Sequence, residues 1–136
     1  MIYKFKIFLI IYMYNNFKGN HILIDYIGLY GDEKELGEFI FNLMIQCIEN
    51  TKMKIVHRQL VILNGDTPSG FTSVLLLDES HMTSHCYSNE GNLAVDIFTC
   101  GQTDTFKVIE NFNHELLNKY PEVKITYQEN HKRFIY

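Results

Sequence analysis

The chain has 136 residues, a formal net charge of −4, 46% hydrophobic residues and 14% aromatic ones. That length favours one domain, and the apolar share is large enough to bury a core, which excludes an intrinsically disordered chain. The mild acidity argues against nucleic acid as a partner, since a phosphate backbone demands a basic face.

The opening stretch, MIYKFKIFLIIYMYNNFK, sets Lys4 and Lys6 before an apolar run from Ile7 to Tyr14. No small-residue cleavage site follows, and the run is too short to span a bilayer. Residues 1–17 are therefore expected to form a loose or strand-like extension with no membrane role, and 18–136 the domain proper. HILIDYI (21–27) reads as a strand. Asp32 with Glu35 makes a capping-box signal for a helix over 33–49, in which Leu36, Phe39, Ile40, Leu43, Met44 and Cys47 recur at three- and four-residue steps. KIVHRQLVILN (54–64) reads as a strand and NGDTPSG (64–70) as its turn. FTSVLLLDES (71–80) and NLAVDIFTC (92–100) read as two further strands, with a polar stretch between them. Thr103 or Asp104 caps a second amphipathic helix over 103–120, which Pro121 follows. VKITYQ (123–128) and RFIY (133–136) close the chain as strands. The order β-α-β-β-β-α-β-β implies an α+β fold, a two-layer α/β sandwich with a mainly antiparallel sheet and both helices on one face.

Cysteine usage is sparse and odd in number: Cys47, Cys86 and Cys100. A disulfide scaffold is not expected, and a reducing cytoplasm fits. Cys47 sits on the apolar helix face and reads as core filler.

The segment from Glu79 to Cys100 holds an unusual density of reactive side chains. Taken singly, each of Glu79, Ser80, His81, His85, Cys86 and Cys100 reads as an incidental polar residue of a hairpin. His81 and His85 have the i, i+4 spacing of a helical metal pair, but they lie between strands and no Cys-x-x-Cys accompanies them, so no metal is expected. Cys100 with His85 could form a hydrolytic nucleophile pair, but nothing supplies a helix N-terminus to lower the thiol pKa. A different chemistry uses the residues together. A serine in a tight turn after an acid can attack the preceding carbonyl and convert the peptide bond to an ester. Elimination then cuts the chain and leaves the serine as a pyruvoyl group. Such a carbonyl forms an imine with a substrate amine and accepts the electrons left by departing carbon dioxide. A proton donor must then quench the carbanion.

ESHMTSHCYSNEG (79–91) followed by AVDIFTCG (94–101) resembles the bacterial and archaeal S-adenosylmethionine decarboxylase proenzymes. That family typically reads Glu-Ser-His-Leu-(Ser/Thr)-Ile-His-Thr-Trp-Pro-Glu, then Asp-(Val/Leu)-Phe-Thr-Cys-Gly. GNHILID (19–25) and PSGFTS (68–73) resemble its opening and its Pro-x-Gly segment. The likeness covers about residues 19–125 and is dense from 68 to 101.

The resemblance implies a covalent pyruvoyl cofactor made from Ser80, by cleavage between Glu79 and Ser80 into a β chain 1–79 and an α chain 80–136. It assigns His85 as processing base, Thr72 as processing hydroxyl and Cys100 as proton donor. It further implies a homodimer of cleaved protomers with sites at the interface, and decarboxylated S-adenosylmethionine for spermidine synthesis as the product. Glu79, Asp66, Tyr87 and Asn89 fall at or beside the family's substrate contacts. Two of them depart from the pattern. The aromatic residue that stacks on adenine is replaced by Asp66, and the glutamate that holds the ribose is replaced by Asn89, with Glu90 one place late. An aspartate suits the cationic end of arginine or ornithine, so a basic-amino-acid decarboxylase is the alternative substrate reading. A catalytically inactive regulatory homologue is the alternative class, and the retained Ser80, His85 and Cys100 speak against it. His81 is expected to hold the turn, Asp96 to pair within its strand, and Cys86 to take no part in the chemistry.

Overall fold

A computed structural model describes Lys4 and residues 18–65, 67–100 and 103–135. The expectations for the rest of 1–17 and for Asp66 lie outside the described residues. Strand β1 (Gly19–Ile27) leads into helix α1 (Glu33–Glu49). Strands β2 (Ile55–Leu63), β3 (Gly70–Leu77), β4 (His81–Tyr87) and β5 (Asn92–Cys100) follow. Helix α2 (Thr105–Lys119) and strand β6 (Lys124–Arg133) complete the order. The six strands form one sheet in the order β2-β3-β4-β5-β1-β6, and every neighbouring pair is antiparallel. The expected α+β architecture is therefore present.

The helices start where their caps dictate. Asp32 accepts hydrogen bonds from the Lys34 and Glu35 backbone N–H groups, and Asp104 accepts one from Lys107. Each carboxylate satisfies donors that the first helical turn leaves unpaired. The 3.6-residue apolar period of α1 turns Leu36, Ile40, Leu43, Met44 and Cys47 into the core. Helix α1 lies across β2, β3 and β4, and α2 packs against α1 and β5. The sheet meets them with every second residue: Ile22, Ile24 and Tyr26 of β1, Leu75 of β3, and Leu93, Val95 and Ile97 of β5 are all buried. Phe112 of α2 is fully buried and packs near Tyr26. Phe112→Ala is expected to cost about 3–5 kcal/mol of stability, through lost burial and the cavity left behind; urea unfolding of the variant measures it.

Two expectations need correction. The polar stretch after Ser80 is itself a central strand, β4, hydrogen-bonded on both sides to β3 and β5. The strand read as 71–80 stops at Leu77. Periodicity hides β4 because its two faces are both partly polar. Met82, Ser84 and Cys86 turn inward, while His81, Thr83, His85 and Tyr87 turn outward, so only pairing identifies it. The second correction is at the C-terminus. A single strand runs from Lys124 to Arg133 and ends before Phe134, the non-glycine residue with positive φ (56°) among the described residues. RFIY is not a separate strand.

Candidate active site

Asp78, Glu79 and Ser80 form the tight connection between β3 and β4. The Leu77 N–H donates to the Ser80 carbonyl across the turn at 2.9 Å, and the Asp78 carboxylate accepts from the Glu79 N–H at 3.1 Å. The Glu79–Ser80 peptide bond thus sits at the tip of a hairpin. Ser80 is nevertheless buried, at 7% exposure. Its Oγ accepts a hydrogen bond from the backbone N–H of Cys100 at 3.1 Å. That contact joins residues twenty apart in sequence and sets the serine hydroxyl beside the cysteine. Because the Cys100 N–H occupies one lone pair of Oγ, the hydroxyl proton remains free to be given to a base.

Alternation along the strands places a second set of residues on the face away from α1 and α2. Across the sheet, His81 of β4 stands opposite Phe98 of β5, Phe98 opposite His21 of β1, and His21 opposite His131 of β6. The rings of His21, His81 and Phe98 lie within 5.6–6.0 Å of one another, and Phe134 meets Phe98 edge-on at 6.2 Å. The next row toward the middle of the sheet is Thr83, Asp96, Leu23 and Glu129. Asp96 Oδ2 lies 3.9 Å from His21 Nε2. The row at the Ser80 end is Cys100, Gly19 and Arg133.

The remaining processing candidates lie elsewhere on that face. Thr72 of β3 stands opposite His85 of β4, and Thr72 Oγ1 is 2.6 Å from His85 Nδ1. His85 is four strand residues beyond His81, about 13 Å along the sheet. The chain therefore holds two pairs at opposite ends of β4: Ser80 with Cys100, and Thr72 with His85. Tyr87, 48% exposed, stands one alternate position beyond His85. The Asn92 side-chain amide donates to the Glu90 carboxylate. That contact holds Glu90 at the far turn, away from Ser80.

Burial separates the three thiols. Burial pushes the Cys86 thiol up to about 12 and Cys47, with a small push from Glu115, to about 11. Both stay protonated and packed in the core. Cys100 is only partly buried. Burial first, and then the Glu79 carboxylate, push its thiol above the ordinary value, while the Arg133 guanidinium pulls it back. A thiol in this state is an acid that holds its proton at neutral pH. Burial also holds His21 below the ordinary imidazole value, against the opposing pull of Asp96. Among the described residues, no three His, Cys, Asp or Glu side chains converge as a metal ion would need. No described helix is long and apolar enough to cross a membrane.

Sequence patterning does not pick out the ring cluster of His21, Phe98 and Phe134, nor Arg133. Its one signal is His21 within the opening GNHILID motif, because the cluster is built by pairing β1, β5 and β6.

Comparison with known proteins shows a shared fold and a family. A crystal structure of the adenosylmethionine decarboxylase from Aquifex aeolicus superposes with a TM-score of 0.64 over 88% of this chain and 93% of that one, at 24% identity, which shows a shared fold. The S-adenosylmethionine decarboxylase proenzyme of Clostridium botulinum (strain Langeland) is 29% identical over 109 residues, covering 79% of this chain and 91% of the relative. The proenzyme of Brevibacillus brevis is 33% identical over 85 residues, 62% of each chain. The profile of the S-adenosylmethionine decarboxylase family matches residues 20–128, a span that takes in both residue pairs, and the chain belongs to that family.

Proposed function

We propose that the chain cuts itself between Glu79 and Ser80, carries the resulting pyruvoyl group on residue 80, and decarboxylates S-adenosylmethionine to supply spermidine synthesis. The observation that carries this is the buried Ser80 hydroxyl beside a hairpin turn, held by the backbone N–H of Cys100. The residues fit the group. Ser80 Oγ attacks the Glu79 carbonyl carbon, the C–N bond breaks, and an ester with a free amine results. Removal of the Ser80 α-proton expels the Glu79 carboxylate. Water then replaces the nitrogen, which leaves as ammonia. The pyruvoyl group, built on residue 80, would supply an electrophilic carbonyl for the substrate amine and a sink for the electron pair left by carbon dioxide. Cys100 returns a proton to the substrate α-carbon as general acid. Cytoplasmic placement accompanies this reading.

The α-proton needs a base, and His85 supplies it only from a second copy of the chain. In one protomer His85 is a strand's length from Ser80. The His85 face of the sheet lies away from α1 and α2 and exposes Val61, Leu76, Tyr87 and Tyr127 at 39–48%. Apolar side chains on an uncovered sheet call for a partner. A two-fold axis between two such faces, crossing the strands, sets the Ser80–Cys100 end of one protomer over the Thr72–His85 end of the other. If His85 Nδ1–H donates to Thr72 Oγ1, the lone pair of Nε2 is free to take the proton. Tyr87 and Asn89, beside His85, then flank the partner's Ser80 and contact its substrate, while Glu79 stays beside its own Ser80.

Intact-mass measurement of the purified protein tests the reading. Two chains, 1–79 and 80–136, are expected, the second blocked by a keto acid. A single uncut chain after prolonged incubation sinks the proposal. The preparation is expected to release carbon dioxide from S-adenosylmethionine; release from arginine or ornithine alone would overturn the substrate assignment.

A further inference from the structure

We propose that Arg133 is a positioning residue for Cys100, its guanidinium held by Phe98 and His21 so that it faces the thiol across the side-chain-free position Gly19. Cys100 and Arg133 are the two cross-strand partners of Gly19, one on β5 and one on β6. Partners in register point to the same face. Two strand spacings, about 10 Å, separate their backbones, and a side chain at residue 19 would stand between them. Glycine cedes that space to the side chains of Phe98, Arg133 and Phe134. A Cβ built there lies 3.1 Å from Phe98 Cε2 and 3.2 Å from Arg133 Cβ. The arginine leans into the gap: its Cζ is 5.4 Å from the centre of the Phe98 ring, and its Nη1 is 3.4 Å from His21 Nδ1. Arginine only donates, so His21 Nδ1 carries its lone pair toward the guanidinium, and Nε2 carries the proton on the Asp96 side.

Among the described residues, Glu79 from the turn and Arg133 from β6 act on Cys100, and the other titratable groups on that end of the face are His81 of β4, Asp96 of its own strand, His21 of β1 and His131 of β6. Lys132 alternates to the opposite face. Arg133 is thus the permanent cation of the group, set against Glu79. Self-cleavage adds a second carboxylate at Glu79, which makes the counter-charge more important. A donor must hold its proton until the substrate carbanion forms and then release it readily. Glu79 serves the first need, and Arg133 serves the second by stabilising the thiolate. Arg133 lies beyond residues 20–128 that match the family profile.

The inference rests on Cys100 as proton donor, but its test does not need turnover. In a Ser80→Ala background, which stays one chain, the iodoacetamide reactivity of Cys100 is followed against pH by peptide mass. Cys47 and Cys86, buried in the core, serve as internal controls. Arg133→Met is expected to move the Cys100 midpoint to higher pH and to slow alkylation near pH 8 roughly two- to fivefold, as for a partly exposed ion pair. Arg133→Lys should retain part of the effect. About 1 M salt, where screening acts within about 3 Å, should move the unsubstituted midpoint toward the Met value. Arg133 is exposed on an edge strand, so its loss should not disturb packing. If Cys47 and Cys86 become reactive in the Met variant, the Lys variant and the salt series decide instead. A midpoint unmoved by substitution and by salt overturns the assignment. Absence of self-cleavage in the wild-type chain removes the function proposed above and leaves this titration standing.

Discussion

His85→Ala, made alone, is expected to remain a single chain, yet to be cut when it shares a dimer with Ser80→Ala. Each of the two sites in the proposed dimer takes Ser80 from one protomer and His85 from the other. In a mixed dimer one site has lost both residues, while the other keeps the Ser80 of the His85→Ala chain and the His85 of the Ser80→Ala chain. With random pairing, roughly half of the His85→Ala chains should be cleaved, because isologous symmetry gives each mixed dimer one intact site. Co-expression with two different affinity tags, followed by intact mass, reads the result directly. The argument rests on distance. The 2.6 Å Thr72–His85 contact and the 3.1 Å Cys100–Ser80 contact sit at opposite ends of β4, and a strand cannot fold back to join them. Cleavage of His85→Ala alone, or an uncut His85→Ala chain in mixed dimers, would refute the shared site.

Cys100→Ala should separate processing from turnover. The bond that holds Ser80 comes from the Cys100 backbone N–H, which alanine keeps. The thiol is only partly buried, so removing its sulfur opens no core cavity. Self-cleavage is therefore expected to proceed nearly as in wild type. Decarboxylation loses its positioned acid, and kcat should fall by about 10²–10⁴-fold, the usual worth of general acid–base catalysis. The thiol is held above its ordinary pKa chiefly by burial, and by Glu79. Activity in the parent enzyme should therefore persist into mildly alkaline solution and fall as pH rises through the raised thiol value. The alanine variant should lack that alkaline limb. A kcat within threefold of wild type would take Cys100 out of the mechanism.

The segments with strong local signals are legible in the amino-acid order itself. Helix α1 starts and stops as its Asp32 cap and apolar period require, because a helix satisfies its own backbone and its pattern is local. Strands β1, β2 and β5 carry enough apolar alternation to be read. Strand β4 does not, since Ser84 and Cys86 replace the apolar residues expected inward. Ser84 is tolerated there because its hydroxyl bonds that of Ser73, a buried pair that no periodicity reveals. RFIY has the composition of a strand, but the ladder to β1 ends at the Gly19–Arg133 pair and Phe134 turns to positive φ.

Residue order alone singled out the candidate residues: an acid, a serine, a histidine and a cysteine at set spacings between Glu79 and Cys100. It determined the helices too, through caps and apolar period. Only the folded sheet decided which of these residues meet. Register brings Cys100 to Ser80, parts both from His85, and sets His21 against Arg133 across 112 residues. Helical contacts follow from short-range spacing, whereas cross-strand contacts depend on which strands pair and in what alignment. That choice is made by burying one face of the sheet under α1 and α2, so no single stretch of chain contains it.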